Sequence, residues 1–141
     1  MKTRLLLGFG ALLACVMLPW IVRLPKGWDW VAQYIPDQEH LGSGLLLFGA
    51  FSLLPGIVAA CMALLSKPLF YLPVLTATLF ALGFLGYAHY HLDLAADAQA
   101  AIALLFIPMY ASALALLGGL IGWGMQILVC RLSHTERSKQ A

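Results

Sequence analysis

Residues 100–130 read AAIALLFIPMYASALALLGGLIGWGMQILVC, and not one Asp, Glu, Lys, Arg or His interrupts them. As a helix rising ~1.5 Å per residue, this stretch is about 46 Å long. That exceeds the ~30 Å hydrocarbon core of a bilayer, so a spanning helix here must tilt, bend at Pro108 or project beyond the membrane. Three further stretches, roughly 5–22, 41–65 and 69–88, are equally free of ionisable side chains. The eight Lys and Arg, six Asp and Glu and four His all lie between these stretches or near the chain ends.

Hydrophobic residues make up 62% of the 141-residue chain and charged residues 10%. Soluble domains average about 45–50% and about 25%, and a small soluble domain buries only about two-thirds of its surface. Lipid is the solvent that accommodates such a composition. The continuous runs disfavour a spanning barrel, whose strands alternate over ~10 residues. The predicted fold is therefore all-α: one integral membrane domain over 1–141, a bundle of four transmembrane helices with spans near 5–22, 41–65, 69–88 and 100–130. Residues 131–141 form a cytoplasmic tail. The start, Met1-Lys-Thr-Arg before Leu5–Ala14, has the form of a secretory signal. The apolar run continues to Val22, however, so it is read as a retained first span.

Cationic residues orient the chain, because cytoplasmic loops carry an excess of Lys and Arg. With a cytoplasmic N-terminus, the inner side holds Lys2, Arg4, Lys67, Arg131, Arg137 and Lys139, and the outer side only Arg23 and Lys26. Both termini are expected in the cytoplasm of a bacterial cell, with a multi-pass chain in the inner membrane. Between spans two and three, the very short Lys67-Pro68 turn makes those helices antiparallel neighbours. Asp37 is placed to cap the second span, and Asp93 or Asp97 the fourth. Pro19, Pro55 and Pro108 fall inside spans, whereas Pro73 sits in the first turn of the third.

The first outer loop, Arg23–His40, carries Trp28, Trp30 and Tyr34 together with Val31 and Ile35. The spacing of Trp28, Val31 and Ile35 places three apolar groups on one face of a short interfacial helix. Such aromatics either position the protein at the membrane surface or meet a partner. A second candidate contact surface is the small-residue face of the fourth span, formed by Ala111, Ala115, Gly118, Gly119 and Gly122. Lipid tails are as apolar as leucine, so helices associate where small residues let backbones approach. This face serves either bundle packing or association with another membrane protein or a second copy.

Two constellations could carry chemistry. His40, His89, His91 and Asp93 gather on the outer side, and imidazole with carboxylate suits a transition-metal ion. Apart from a metal ion at that outer face, no cofactor is expected. In the fourth span, Pro108 frees a backbone carbonyl near Tyr110 and Ser112, which outlines a polar niche for a small uncoupled transporter or channel acting as an oligomer. Charged coupling residues of the kind that mark ion paths are missing from every span. Cys15, Cys61 and Cys130 lie in or at the end of apolar stretches and form no C-x-x-C pair, which disfavours thiol redox activity. No basic cluster of nucleic-acid-binding type occurs.

The segments Asp97-Ala98-Gln99-Ala100-Ala101, Phe106-Ile107-Pro108-Met109-Tyr110 and Gly118-Gly119-Leu120-Ile121-Gly122 resemble the last helix of small four-helix bacterial inner-membrane proteins. In size and span count the chain also resembles the membrane immunity proteins that protect bacteria from pore-forming toxins. That second resemblance implies a non-catalytic binder acting within or beside the bilayer, either immunity-like or an accessory subunit of a membrane complex. Neither resemblance assigns a role to an individual residue.

Overall fold

The computed structural model describes residues 2–35, 41–66, 71–95 and 100–140, with the backbone alone for 41–49, 100–101 and 134–140. Five α-helices follow in order: α1 (Lys2–Ile21), α2 (Trp28–Ala32), α3 (Leu41–Leu65), α4 (Leu72–His91) and α5 (Ala100–Gln140), with a single 3-10 turn at Leu24–Lys26. No strand occurs among the described residues. Three segments are long and apolar enough to cross a membrane: Lys2–Lys26, Leu72–His91 and Ile102–Ser133. The described side chains of α3 add a shorter apolar stretch, Ala50–Leu65.

Helix boundaries follow the apolar runs, with two differences. The third run starts at Leu72 rather than 69, because Pro73 takes a first-turn position where its missing N–H costs nothing. It then continues to His91, which adds the last turn that carries His89. The second difference is at the C-terminus, where α5 runs unbroken through the polar residues expected as a tail, to Gln140.

Packing sets the helices in an alternating bundle. Leu12 of α1 meets Gly56 of α3, and Gly8 of α1 meets Ala60, so α1 and α3 are antiparallel. Leu72 and Thr76 of α4 meet Gly122 and Gly118 of α5, so these two are antiparallel as well. The most extensive packing is between α4 and α5, followed by α1 with α3 and α3 with α5. Contacts of α4 with α1 and with α3 are smaller. α3 and α4 are neighbours as the short turn between them predicts, with Ala59, Met62 and Ala63 of α3 packed in one cluster with Val74 and Ala77 of α4. Residues 67 and 68 of the connecting turn lie outside the described residues.

Small side chains dominate the interior. One cluster joins Ala11, Ala59, Met62, Ala63, Val74 and Ala77; the other joins Cys15, Ala81, Leu85, Ile107, Ala111 and Ala115. Large apolar residues face outward, among them Leu6, Phe9, Leu79, Tyr87 and Leu120. This inverts the soluble pattern, as expected where surrounding lipid is as apolar as the core. Two hydroxyls inside the bundle are satisfied locally, Thr76 Oγ1 donating to Leu72 O at 2.7 Å and Ser66 Oγ to Met62 O at 2.6 Å, whereas the buried Ser52 Oγ has no partner among the described residues.

The small-residue face of α5 is consumed within the chain. Ala111 and Ala115 are fully buried. A Cβ on Gly118 would stand 2.7 Å from Thr76 O, one on Gly119 2.9 Å from Met62 Cε, and one on Gly122 2.6 Å from Leu72 O. These residues pack α5 on α3 and α4, which leaves no free surface there for a partner. Gly122→Leu and Gly118→Leu should therefore each destabilise the folded chain by about 1–3 kcal/mol, the usual cost of overpacking. Gly124→Leu, with nothing within 4 Å of its Cβ, should be neutral. Thermal melting of the purified variants in detergent checks this contrast.

Candidate functional site

A linked set of polar groups gathers at one end of the bundle, where α1 and α4 both finish. Arg23 follows the last turn of α1 and is fully buried. Its Nε donates to Trp30 O at 2.7 Å. Nη1 donates to Leu92 O at 2.8 Å and to His89 O at 3.3 Å, and Nη2 donates to Gln33 Oε1 at 2.5 Å. All four acceptors are neutral. The guanidinium also lies over the Tyr34 ring at 4.0 Å and the Trp30 ring at 5.0 Å. A planar fork with several donors and two aromatic faces suits Arg and no other residue.

The chain reaches this arrangement through a tight local path. Lys26 and Gly27 close the 3-10 turn through N–H bonds to Arg23 O and Leu24 O. Gly27 adopts φ +102°, a conformation that favours glycine, and this reverses the chain into α2. The reversal brings Trp30, Gln33 and Tyr34 back over the Arg23 side chain. Gln33 extends the network, since its Nε2 donates to Asp93 Oδ1 at 3.0 Å and its Oε1 accepts from Leu94 N–H at 3.2 Å. Tyr34 and His89 Nδ1 are hydrogen-bonded at 2.5 Å, with the direction following the His89 tautomer. Lys26 Nζ covers the other side, 3.7 Å from the Trp30 ring and 4.3 Å from the Tyr90 ring.

The sequence-predicted residues divide accordingly. Trp30 and Tyr34 belong to this network, whereas Trp28 projects outward at 68% exposure. The expected shared face of Trp28, Val31 and Ile35 does not form: Val31 is buried and the other two are exposed. α2 is only five residues long, so Ile35 lies beyond its end. Pro108, Tyr110 and Ser112 do not build a niche either. Ser112 Oγ donates to Pro108 O at 2.7 Å within its own helix, while Tyr110 faces outward at 60% exposure beside Phe84 and Phe106.

The metal constellation is dispersed. His89 and His91 are two residues apart on α4, which turns them about 200° from each other around the axis. His89 points inward to Tyr34, and His91 outward, stacked near Tyr87 and Tyr90. Asp93 Oδ1 accepts from Gln33 Nε2 and Ala95 N–H, which makes it a turn residue rather than a cap for α5. His40, with Asp37 and Asp97, lies outside the described residues. Among the described residues no three His, Cys, Asp or Glu side chains stand close enough to hold a metal ion.

Arg23 is the residue that sequence reasoning missed, having been counted only as an outer-loop charge. A partial signal exists in Trp30, Gln33 and Tyr34 following within eleven residues. Its remaining acceptors, His89 O and Leu92 O, are 66 and 69 residues away, beyond any local pattern. Chemically the assembly is a clamp: one guanidinium fastens the end of α1, the α2 loop and the end of α4.

Two outcomes follow. Arg23→Gln and Arg23→Lys should both loosen this end, by about 2 kcal/mol or more, since neither replaces the fork and the ring contacts together. Faster hydrogen exchange over residues 23–35 and the end of α4, with the rest of the bundle unchanged, would register it. Burial pushes the Tyr34 phenol up to about 12, against the smaller lowering effect of the Arg23 charge and hydrogen bond. A raised phenol favours the neutral folded form, so its contribution is complete below the ordinary value of 10.0 and is lost as pH rises through about 12. Phenolate absorbance should show a step near pH 12 that vanishes in Tyr34→Phe.

Comparison of the chain with protein-family models, curated proteins and solved structures finds no match.

Proposed function

We propose that this chain is a non-catalytic bacterial inner-membrane protein that works by binding another membrane protein or a second copy of itself. In this reading four helices span the membrane, α3 completing the set, and both termini are cytoplasmic, as the distribution of Lys and Arg supports. The Arg23 clamp then lies at the outer surface. The architecture is that of an immunity-like binder or an accessory subunit of a membrane complex.

The observation that carries the reading is the length of α5. Its packing on α4 ends where Gly122 meets Leu72, at the first turn of α4. Beyond that point Trp123, Met125, Ile127, Leu128, Val129 and Leu132 are 41–59% exposed, on all sides of the helix. The apolar segment Ile102–Ser133 has 32 residues, or about 48 Å against a hydrocarbon core of ~30 Å. Close packing on α4 restrains the tilt that would absorb the excess. Apolar side chains past the bundle therefore call for a protein cover. The contact surface moves from the buried glycines to this extension, with exposed Trp28 as a second contact at the outer face. The transporter and outer-metal readings draw less support, since Tyr110 and Ser112 do not converge and His89 and His91 point apart.

Photo-crosslinking amino acids placed at Leu128 and at Leu79 in cells separate the alternatives. A protein adduct of defined mass at Leu128, with only lipid adducts at the outward-facing control Leu79, is the expected result. Lipid adducts alone at both positions would sink the reading.

A further inference from the structure

We propose that the groove between α1 and α3 at the Lys2 end of the bundle is a site for one anionic phospholipid of the cytoplasmic leaflet, with its phosphate on Arg4. Here Gly8 brings the two helices together, its Cβ position being 3.3 Å from Ala60 Cβ. The side chains on either side of that close approach stand apart and leave a groove of about 230 Å³, lined by Arg4, Leu5, Gly8, Phe9, Leu12, Ala60 and Leu64. From Arg4 to Leu12 the groove follows α1 for about 12 Å. Its single charged lining residue is at one end, and everything beyond is apolar.

That profile is the outline of a phospholipid: a cation for the headgroup, then two helical turns of methyl and phenyl surface for an acyl chain. Among the described residues, Arg4 has no hydrogen bond or ion pair, so its guanidinium is available to a phosphate, which it can meet bidentately. Lys2, exposed half a turn away, adds to the local positive potential. Basic pockets between helices on the cytoplasmic side suit anionic headgroups in this way. A comparable apolar crevice between α1 and α4, lined by Leu6, Gly10, Leu75 and Thr78 among others, has no cation and carries no such selectivity.

The leaflet assignment rests on the cytoplasmic N-terminus proposed above, whereas the lipid selectivity does not. The full chain in mild detergent is mixed with equal phosphatidylglycerol and phosphatidylcholine, and retained lipid is counted by native mass spectrometry. One phosphatidylglycerol per chain, retained about tenfold over phosphatidylcholine, is expected. Arg4→Gln should remove the preference, Arg4→Lys should keep part of it, and Lys26→Gln at the opposite end should leave it unchanged. An unchanged melting temperature shows that the variants are folded. Equal retention of the two lipids, or a preference that survives Arg4→Gln, overturns the site. Displacement of the lipid by equimolar glycerol phosphate overturns the acyl-chain assignment. Labelling of Thr3→Cys in intact spheroplasts reads orientation separately; an external N-terminus overturns the leaflet and the orientation of the proposed function, with the detergent measurement still deciding the site.

Discussion

Close backbone contact between α4 and α5 is the constraint on which the rest of this structure depends. In lipid no hydrophobic force drives helices together, so cohesion comes from contact area gained at short range. Gly118 and Gly122 allow α5 to lie against Thr76 O and Leu72 O at distances no side chain would permit. Once those two helices are joined, α3 fits against the same α5 through Met62 and Gly119, and α1 fits against α3 through Gly8 and Gly56. The fully buried alanines of the core, Ala59, Ala77, Ala81, Ala111 and Ala115, belong to the same solution.

Polar chemistry is concentrated where such packing ends. Arg23 is a buried cation whose hydrogen bonds go to carbonyls and an amide and whose faces are covered by two aromatic rings. Charged groups in apolar surroundings persist only when they are satisfied in this way. The consequence is mechanical. Arg23, Gln33 and Tyr34 join the first loop to the end of α4, which fixes α1 beside α4 at that end. Gly86 there lies within van der Waals reach of Leu18 and Val22. At the Lys2 end no equivalent polar clamp holds α1 among the described residues, and grooves open on both of its flanks.

The two ends thus differ in kind, and the difference shapes the functional reading. One end has its polar groups turned inward upon each other, occupied in holding the fold. The other presents Lys2 and Arg4, apolar grooves and the long extension of α5. The proposed recognition of lipid and the proposed protein contact on α5 both fall at this second end.

The sequence by itself determined the solvent and the elements. Uninterrupted apolar runs dictate apolar helices, three of them long enough to cross a membrane, because hydropathy depends on composition, and α3 covers Leu41–Leu65, the same residues as its apolar run. Proline positions and the close packing capacity of the α5 glycines were also legible, being properties of single residues. Tertiary structure alone decided which neighbour those glycines meet, that Tyr110 faces outward, that His89 and His91 part company, and that Arg23 is buried. Each depends on groups brought together from distant parts of the chain or on the rotation of a helix about its axis. An α-helix that is apolar all round carries no periodic mark of its inward face. Only the contacts of the assembled bundle supply it.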